Sequence, residues 1–287
     1  MRCPGCQSPG QHSERENLEE VVDLIESNEA DVVSYVARRN TATFRFYAEL
    51  NDFLEPGQSG NELVYRFDGA PSIKDAIEAQ GVPHTEVELI VVNGASVGFG
   101  HHLRAGDRIA VYPVFESFDI KPLIKLRAAP LRRTRFVVDT NLGKLARWLR
   151  LIGFDTVYSN RFEDAEVVHI AVADRRIVLT RDRRLLHHKV VTHGYWVRAV
   201  DPQQQVIEVV QRFQLETEMA PFRRCMACNG IIHSVGKEAV LALLEPGTRI
   251  YYDEFSQCAD CAKIYWPGSH YRSLKAQVST FKKGLNV

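Results

Sequence analysis

Two short apolar strands, each running directly into an aspartate and separated by an amphipathic helix, restrict the middle of this chain to few folds. Phe136, Val137 and Val138 are consecutive β-formers that end at Asp139, after which the apolar period changes from strand to helix. Leu142, Leu145, Ala146, Leu149 and Ile152 recur at spacings of three and four and make one buried face, while Lys144, Arg147 and Arg150 point elsewhere. Gly153 ends that helix. A second buried-type strand, Ile177 to Thr180, leads into Asp182, which is flanked by Arg181, Arg183 and Arg184. Ligands of open α/β sheets sit at the carboxyl ends of strands, which places both acids where a site belongs.

Between these strands Glu163, Asp164 and Glu166 precede a second apolar helical run, Val167 to Ala173, which can carry a third carboxylate to the same edge. Acids from three elements suit a hard divalent cation such as Mg²⁺, which prefers oxygen ligands and shares them with substrate phosphate. Paired ions of this kind orient a water and stabilise the leaving oxygen of a phosphodiester. The same residues serve equally well as helix caps and complements to helix dipoles, and pattern alone does not separate the two.

The C-terminal cysteines carry a different message. Cys225 and Cys228 form one C-x₂-C pair and Cys258 and Cys261 another, separated by 29 residues. Two such knuckles supply four thiolates for a tetrahedral, structural Zn²⁺ with no open catalytic position. The spacer is expected to hold a helix over Lys237–Leu244, a turn at Pro246-Gly247 and a strand over Arg249–Tyr252. No secretory segment is recognisable, which favours metal over disulfides. Cys3 and Cys6 form a lone C-x₂-C pair, read as part of a leader over residues 1–40, in which a short helix is expected within residues 14–39.

The chain has 287 residues and zero formal net charge, but the charge is unevenly spread. Residues 1–118 hold 9 Lys/Arg against 19 Asp/Glu, and residues 119–287 hold 27 against 17, so only the second part has the electrostatic footprint of a phosphate binder. Residues 119–135, basic and interrupted by Pro122 and Pro130, read as a linker that either touches nucleic acid or packs across a domain surface. No apolar run approaches the ~20 residues of a membrane span, so a soluble, cytoplasmic protein is expected.

Upstream, residues 41–118 show strands at Ala42–Tyr47 and Leu63–Phe67, a helix started by Ser72, then strands at Val87–Val92 and Asp107–Tyr112. This ββαββ order suggests a small β-grasp. Gly94-x-x-x-Gly98-x-Gly100 lacks the Lys and Ser/Thr of a P-loop and reads as a loop between strands. His187, His188 and His193 have no serine in a nucleophile-elbow pattern near them, which argues against serine hydrolysis. Tyr265, Trp266, His270 and Tyr271, close to Lys263, Arg272 and Lys275, form a basic-aromatic cluster. It suits either base stacking or the core of a small cysteine module.

Asp139-x-x-Leu142-Gly143-Lys144-Leu145-Ala146-Arg147-Trp148-Leu149-Arg150, Gly153-Phe154-Asp155-Thr156, Leu179-Thr180-Arg181-Asp182 and Tyr265-Trp266-x-Gly268-Ser269-His270-Tyr271 together resemble the Mut-7 C-terminal RNase domain, a branch of the PIN-like nucleases, over roughly residues 130–275. The resemblance implies an α/β PIN-like nuclease domain at 136–220, a zinc ribbon at 221–275 and a tail at 276–287. It also implies an acid cluster that binds Mg²⁺ or Mn²⁺. Asp139 matches the acid after the first strand, Asp164 the acid opening the later helix and Asp182 the acid of the Thr-x-Asp motif. Asp155 and Glu163 are the candidates for a fourth acid. Val91-Val92-Asn93-Gly94 and Leu103-x-x-Gly106-Asp107-x-Ile109 resemble the ubiquitin-like domain often fused in front of these nucleases, and more remotely the sulfur carriers related to ubiquitin. Carriers end in a free Gly-Gly tail, whereas this domain runs on through Phe115-Glu116-Ser117-Phe118, which leaves an acidic module docking on the nuclease or on a protein partner.

The expected function is a metal-dependent ribonuclease in which Asp139, Asp164 and Asp182 hold the ions and Lys144, Arg147, Arg150 and Arg181 position RNA. The alternative is a non-catalytic RNA-binding adaptor that keeps the fold and the ribbon.

Overall fold

The computed structural model describes residues 40–113 and 134–286; the Cys3/Cys6 leader, the helix expected within residues 14–39 and nearly all of the linker lie outside the described residues. The first unit contains β1 (Asn40–Phe46), β2 (Leu63–Phe67), α1 (Ile73–Ala79), β3 (Leu89–Val92), β4 (Ala95–Val97) and β5 (Arg108–Tyr112). Its sheet has the order β2-β1-β5-β3-β4, with β1 parallel to β5 and every other pair antiparallel. Period-two alternation turns Ala42, Phe44 and Phe46 inward. They meet Ile73, Ala76 and Ile77 of α1, a helix begun by Ser72, whose Oγ accepts from the Asp75 backbone N–H at 3.1 Å. Strand β4 occupies residues expected as loop, because Asn93 (φ 50°) and Gly94 (φ 86°) make a two-residue turn of the kind that folds a hairpin.

The second unit contains β6 (Arg135–Val138), α2 (Gly143–Leu151), β7 (Asp155–Val157), α3 (Asp164–Ala173), β8 (Ile177–Thr180), α4 (Arg183–Leu186), β9 (Gly194–Trp196) and α5 (Pro202–Arg212). Its four strands are all parallel, in the order β7-β6-β8-β9. Phe136, Val138, Ile177 and Leu179 pack under α2 and α5, whereas Val137 and Val178 face Val167 and Ala171 of α3 and Leu185 and Leu186 of α4. Both faces are therefore dry, as parallel sheets require. Gly153, at φ 104°, ends α2 in the left-handed region, and the Ala220 carbonyl lies where a side chain would stand.

The remaining elements are β10 (Ile232–Val235), α6 (Lys237–Val240), α7 (Pro246–Tyr251), β11 (Phe255–Cys258), β12 (Ile264–Tyr265) and α8 (Ser269–Gly284). The strands form an antiparallel sheet, β10-β11-β12. Two expectations are corrected here. Residues 249–252 are not a strand, since Pro246 at the first helical position starts α7, which runs through Tyr251. Residues 276–287 are not a free tail, since α8 continues to Gly284 and buries Val278 and Phe281 in the core under α2, where Phe281 meets the Trp148 ring at 5.3 Å.

The two α/β units are joined through the outer edge of β9. The Trp196 backbone N–H, directed away from β8, donates to Glu86 Oε1 at 2.6 Å. The other Glu86 oxygen lies 3.8 Å from both Arg198 and Arg212, and the carboxylate is fully buried. Burial pushes the Glu86 carboxyl up, opposed by the charges of Arg212 and Arg198. Asp52 pairs with Arg198 at 3.0 Å, and His84 Nε2 lies 2.7 Å from the Val191 carbonyl. Intramolecular docking of the acidic unit on basic residues of the parallel-sheet unit is thus a feature of the structure. Truncating one partner of a buried charge cluster leaves the others uncompensated, so Glu86→Ala is expected to cost roughly 3 kcal/mol or more in urea unfolding. Glu86→Gln, which keeps an acceptor for Trp196, should cost less than Glu86→Ala. A loss below ~1 kcal/mol for the alanine variant would contradict this account of the interface.

Candidate active site and metal centre

The carboxyl edge of the parallel sheet collects polar side chains that neither dry face can hold. Asp139 follows Val138 at the end of the central strand and is only 5% exposed. It opens a single 3-10 turn, Thr140–Leu142, but makes no side-chain cap bond. Instead the Thr180 hydroxyl donates to its Oδ2 at 2.7 Å and the Thr140 hydroxyl to its Oδ1 at 3.1 Å. Thr180 Oγ1 in turn accepts from the Asp182 backbone N–H at 2.8 Å, so one hydroxyl ties together the acids that end the neighbouring strands β6 and β8.

The other expected acids behave differently. Asp182 Oδ1 accepts from the Arg184 backbone N–H at 2.9 Å and so caps α4, which satisfies the capping role a strand-terminal acid often has. Asp164 stands in the first turn of α3 and Glu163 at its N-cap, both exposed. Among the described residues, the four cysteines are the one group of three or more His, Cys, Asp or Glu side chains placed to hold a metal ion, with their ligand atoms all within 4.8 Å of each other; Asp139, Asp164 and Asp182 do not form such a group.

Asp155 does not belong with these acids. It is paired with Arg135 at the amino end of β6, four residues before Asp139, which puts it at the opposite edge of the sheet. There it accepts from Arg176 at 2.7 Å and from Asn229 at 2.8 Å, with Arg224 3.5 Å away. Burial opposes ionisation of Asp155, but the hydrogen bonds from Arg176 and Asn229 and the charges of Arg176 and Arg224 hold its carboxyl below the usual range.

Of the cations expected on RNA, Lys144 and Arg147 are exposed on α2, with Lys144 lying over the Trp148 ring at 4.9 Å. Arg150 is not available to a ligand. It lies one turn after Ala146 on the buried stripe and is 5% exposed, and its guanidinium donates to the Thr156 carbonyl at 2.8 Å and the Ala227 carbonyl at 2.9 Å. Arg181 donates to the carbonyls of Arg198 and Ala199 and so fastens the segment after β9.

The four cysteines converge. Sγ atoms of Cys225 and Cys261 lie 3.6 Å apart and those of Cys228 and Cys258 3.4 Å apart. A tetrahedral zinc with ~2.3 Å bonds would require sulfur separations of about 3.8 Å, so the group can hold a metal such as zinc. Burial opposes ionisation of Cys225, yet the Tyr265 hydroxyl, 3.0 Å from its sulfur, and backbone amides hold its thiol down to about 6. Burial and the other three thiols push Cys228 up to about 12. Four thiolates coexist at this spacing only around a cation. The first knuckle is bolted to the sheet: Arg150 takes the carbonyls of Met226 and Ala227, and Asn229 Oδ1 accepts from the outward Thr156 N–H of β7 at 2.9 Å.

Sequence reasoning missed Thr180, Asn229 and Glu86 as positioning residues. Thr180 was legible in principle, being the one hydroxyl in an otherwise apolar strand two residues before Asp182. Asn229 directly follows a C-x₂-C knuckle, where its φ of 77° suits asparagine. Glu86 has no local signal, because its partners lie more than a hundred residues away.

This arrangement defines an α/β protein with acids at the carboxyl edge of a parallel sheet and a four-cysteine module on the β7 flank. A family model described as the Mut7-C RNAse domain matches residues 134–278, and one described as Mut7-C ubiquitin matches residues 39–119. The chain belongs to the Mut7-C RNAse domain family, with the ubiquitin-like domain in front. The crystal structures of H. volcanii small archaeal modifier protein 1 and of SAMP1 from Haloferax volcanii are each 19% identical to it; they cover 26% of this chain and 97% and 96% of their own, with TM-scores of 0.22 and 0.21. No curated protein matches the chain. No helix among the described residues is long and apolar enough to cross a membrane.

Two outcomes are expected. Metal analysis of purified protein should give one zinc per chain, lost with Cys225→Ser; a metal-free protein of unchanged unfolding midpoint would exclude the centre. Asp155→Asn should lower stability at pH 7 by ~3 kcal/mol, because Arg176 loses its buried partner. A carboxyl depressed in the folded state contributes stability above its unfolded value near 3.8 and loses it as pH falls through the folded value, so the gap between the two proteins should narrow on acidification. A gap that widens would contradict this.

Proposed function

We propose that this protein is a metal-dependent ribonuclease whose parallel-sheet unit is PIN-like and whose cysteine module is a zinc ribbon. The observation that carries the reading is Asp139: a carboxylate almost wholly withdrawn from water at the carboxyl edge, which among the described residues makes no cap bond and no ion pair and is held by two hydroxyls. Buried carboxylates are ordinarily paired or coordinate a metal. Asp139, Asp182 and Asp164, with Glu163 as the candidate further acid, form an all-oxygen donor set that suits Mg²⁺ or Mn²⁺. A cation of that kind supplies positive charge for the phosphoryl oxygens and lowers the pKa of a water.

The chain's own residues do the rest. Thr180 and Thr140 fix the Asp139 carboxylate, Thr180 sets the position of Asp182 beside it, and Lys144 and Arg147 on the exposed side of α2 hold the RNA backbone and offset its charge. The ubiquitin-like domain acts as a docked partner within the chain. Thiolates held for zinc suit a reducing compartment, which supports a cytoplasmic location.

A second reading, an RNA-binding adaptor without catalysis, is favoured because, among the described residues, the three aspartates do not form a group placed to hold a metal ion. The two readings separate on cleavage of labelled single-stranded and structured RNA with Mn²⁺ or Mg²⁺, beside an Asp139→Asn/Asp182→Asn double variant shown to be folded and zinc-loaded. Metal-dependent cutting that falls at least a hundredfold in the double variant is the expected outcome for a general acid-base or metal site. Equal RNA binding with no cutting by either protein would sink the enzyme and leave the adaptor.

A further inference from the structure

A groove of about 770 Å³ runs between α2, the antiparallel sheet and the start of α8, lined among others by Arg147, Lys263, Trp266 and His270. It is separate from the acids but continuous with their scaffold. Helix α2 begins one turn after Asp139, and Arg147 follows Gly143 by about 6 Å of helix rise.

The aromatic residues here do not all have the same work. The antiparallel module has its own core of Val240, Leu244 and Phe255, packed by Val235, Tyr252 and Ile264, and Trp266 is not in it. Tyr265 is taken by Cys225, and Tyr271 packs on Phe222 at 4.8 Å. Trp266 is 40% exposed, and among the described residues no ring or cation stacks on it. Gly268 has an ordinary φ of −77°, and a Cβ there would stand 3.0 Å from the Trp266 Nε1, a tight contact that the indole would have to ease. The Trp266 indole thus lies against bare backbone at position 268, and both residues line the groove.

The charges favour an anion. Asp253, one of the two lining acids, is paired with Lys237 at 2.8 Å, leaving Glu254 as the other. Arg224 is engaged by Asp155, but Arg147 and Lys263 have no carboxylate partner among the described residues. A free aromatic face beside unpaired cations is the combination that binds unstacked bases and their phosphates.

We propose that this groove is a stacking subsite for single-stranded RNA, which holds unpaired bases a few nucleotides from the acidic edge. The proposal rests on the reading of RNA as the substrate. It is tested by fluorescence anisotropy of a labelled eight-nucleotide single-stranded RNA on the full-length, zinc-loaded protein without added Mg²⁺ or Mn²⁺. Trp266→Ala should weaken binding about tenfold and Trp266→Phe much less, since stacking on one aromatic is worth ~1–3 kcal/mol per base. Arg147→Glu/Lys263→Glu should weaken binding and flatten its salt dependence. A hairpin duplex should compete poorly.

Binding within twofold of the parent for both Trp266→Ala and the charge variant, equal competition by duplex, or no binding by the parent would overturn the subsite. Cleavage by the parent separates the two readings. Groove-dependent binding without cutting leaves the subsite and removes the nuclease; cutting unaffected by Trp266→Ala does the reverse.

Discussion

The structure is organised by a four-stranded parallel sheet that is dry on both faces. Because Phe136, Val138, Ile177 and Leu179 face one helical layer and Val137 and Val178 the other, the middles of the two inner strands carry no polar side chain. Polar chemistry is left with the strand ends and the two outer edges. The outer edges carry the further problem that their unpaired N–H groups invite another strand. Both are closed by a single side-chain acceptor. On β7, Asn229 takes the Thr156 N–H; on β9, Glu86 takes the Trp196 N–H. One acceptor comes from the cysteine module and the other from the ubiquitin-like domain, so each appended unit is attached where the sheet most needs cover.

That logic separates the charged residues by role. Acids and arginines near the β7 flank, such as Asp155, Arg176 and Arg150, are consumed in holding the cysteine knuckle to the sheet. Those near the β9 flank, Arg198 and Arg212, are consumed by Glu86, Asp52 and Glu49. What remains for a ligand is the carboxyl edge and the outer face of α2. Net charge alone hides this, since the basic surplus of the second half is in good part internal wiring.

The sequence made β6, β8, α2 and the four-cysteine cluster legible because each has a local signature: apolar runs that end in aspartate, a 3.6-residue stripe, paired C-x₂-C spacing. It misplaced what depends on distant residues. Arg150 reads as a surface cation because it follows Arg147 and Lys144, but it falls beside the buried stripe, where knuckle carbonyls wait for it. Asp155 follows Gly153 in a motif and looks like a spare acid, yet strand register sends it to the amino end of the sheet. The spacer strand expected at residues 249–252 gave way to the helix-starting geometry of Pro246. The last helix was invisible as a core element because Val278 and Phe281 are too sparse to announce a buried face on their own.

The ubiquitin-like domain reaches further into the site than a tethered module would. Arg183, the residue directly after Asp182, lies over the Trp196 ring at 4.1 Å and over the Phe53 ring at 5.1 Å, and those two rings are 5.2 Å apart. Phe53 belongs to the ubiquitin-like core, whereas Trp196 packs against both that core and the layer under α4. The first turn of α4, and with it the cap formed by Asp182, is therefore propped from the N-terminal domain. A guanidinium laid over two adjoining rings exchanges part of its hydration for π contact. It is thereby withdrawn from phosphate while its helix is kept in place. Docking in this molecule couples the shape of the acidic edge to a domain that contributes no acid to it.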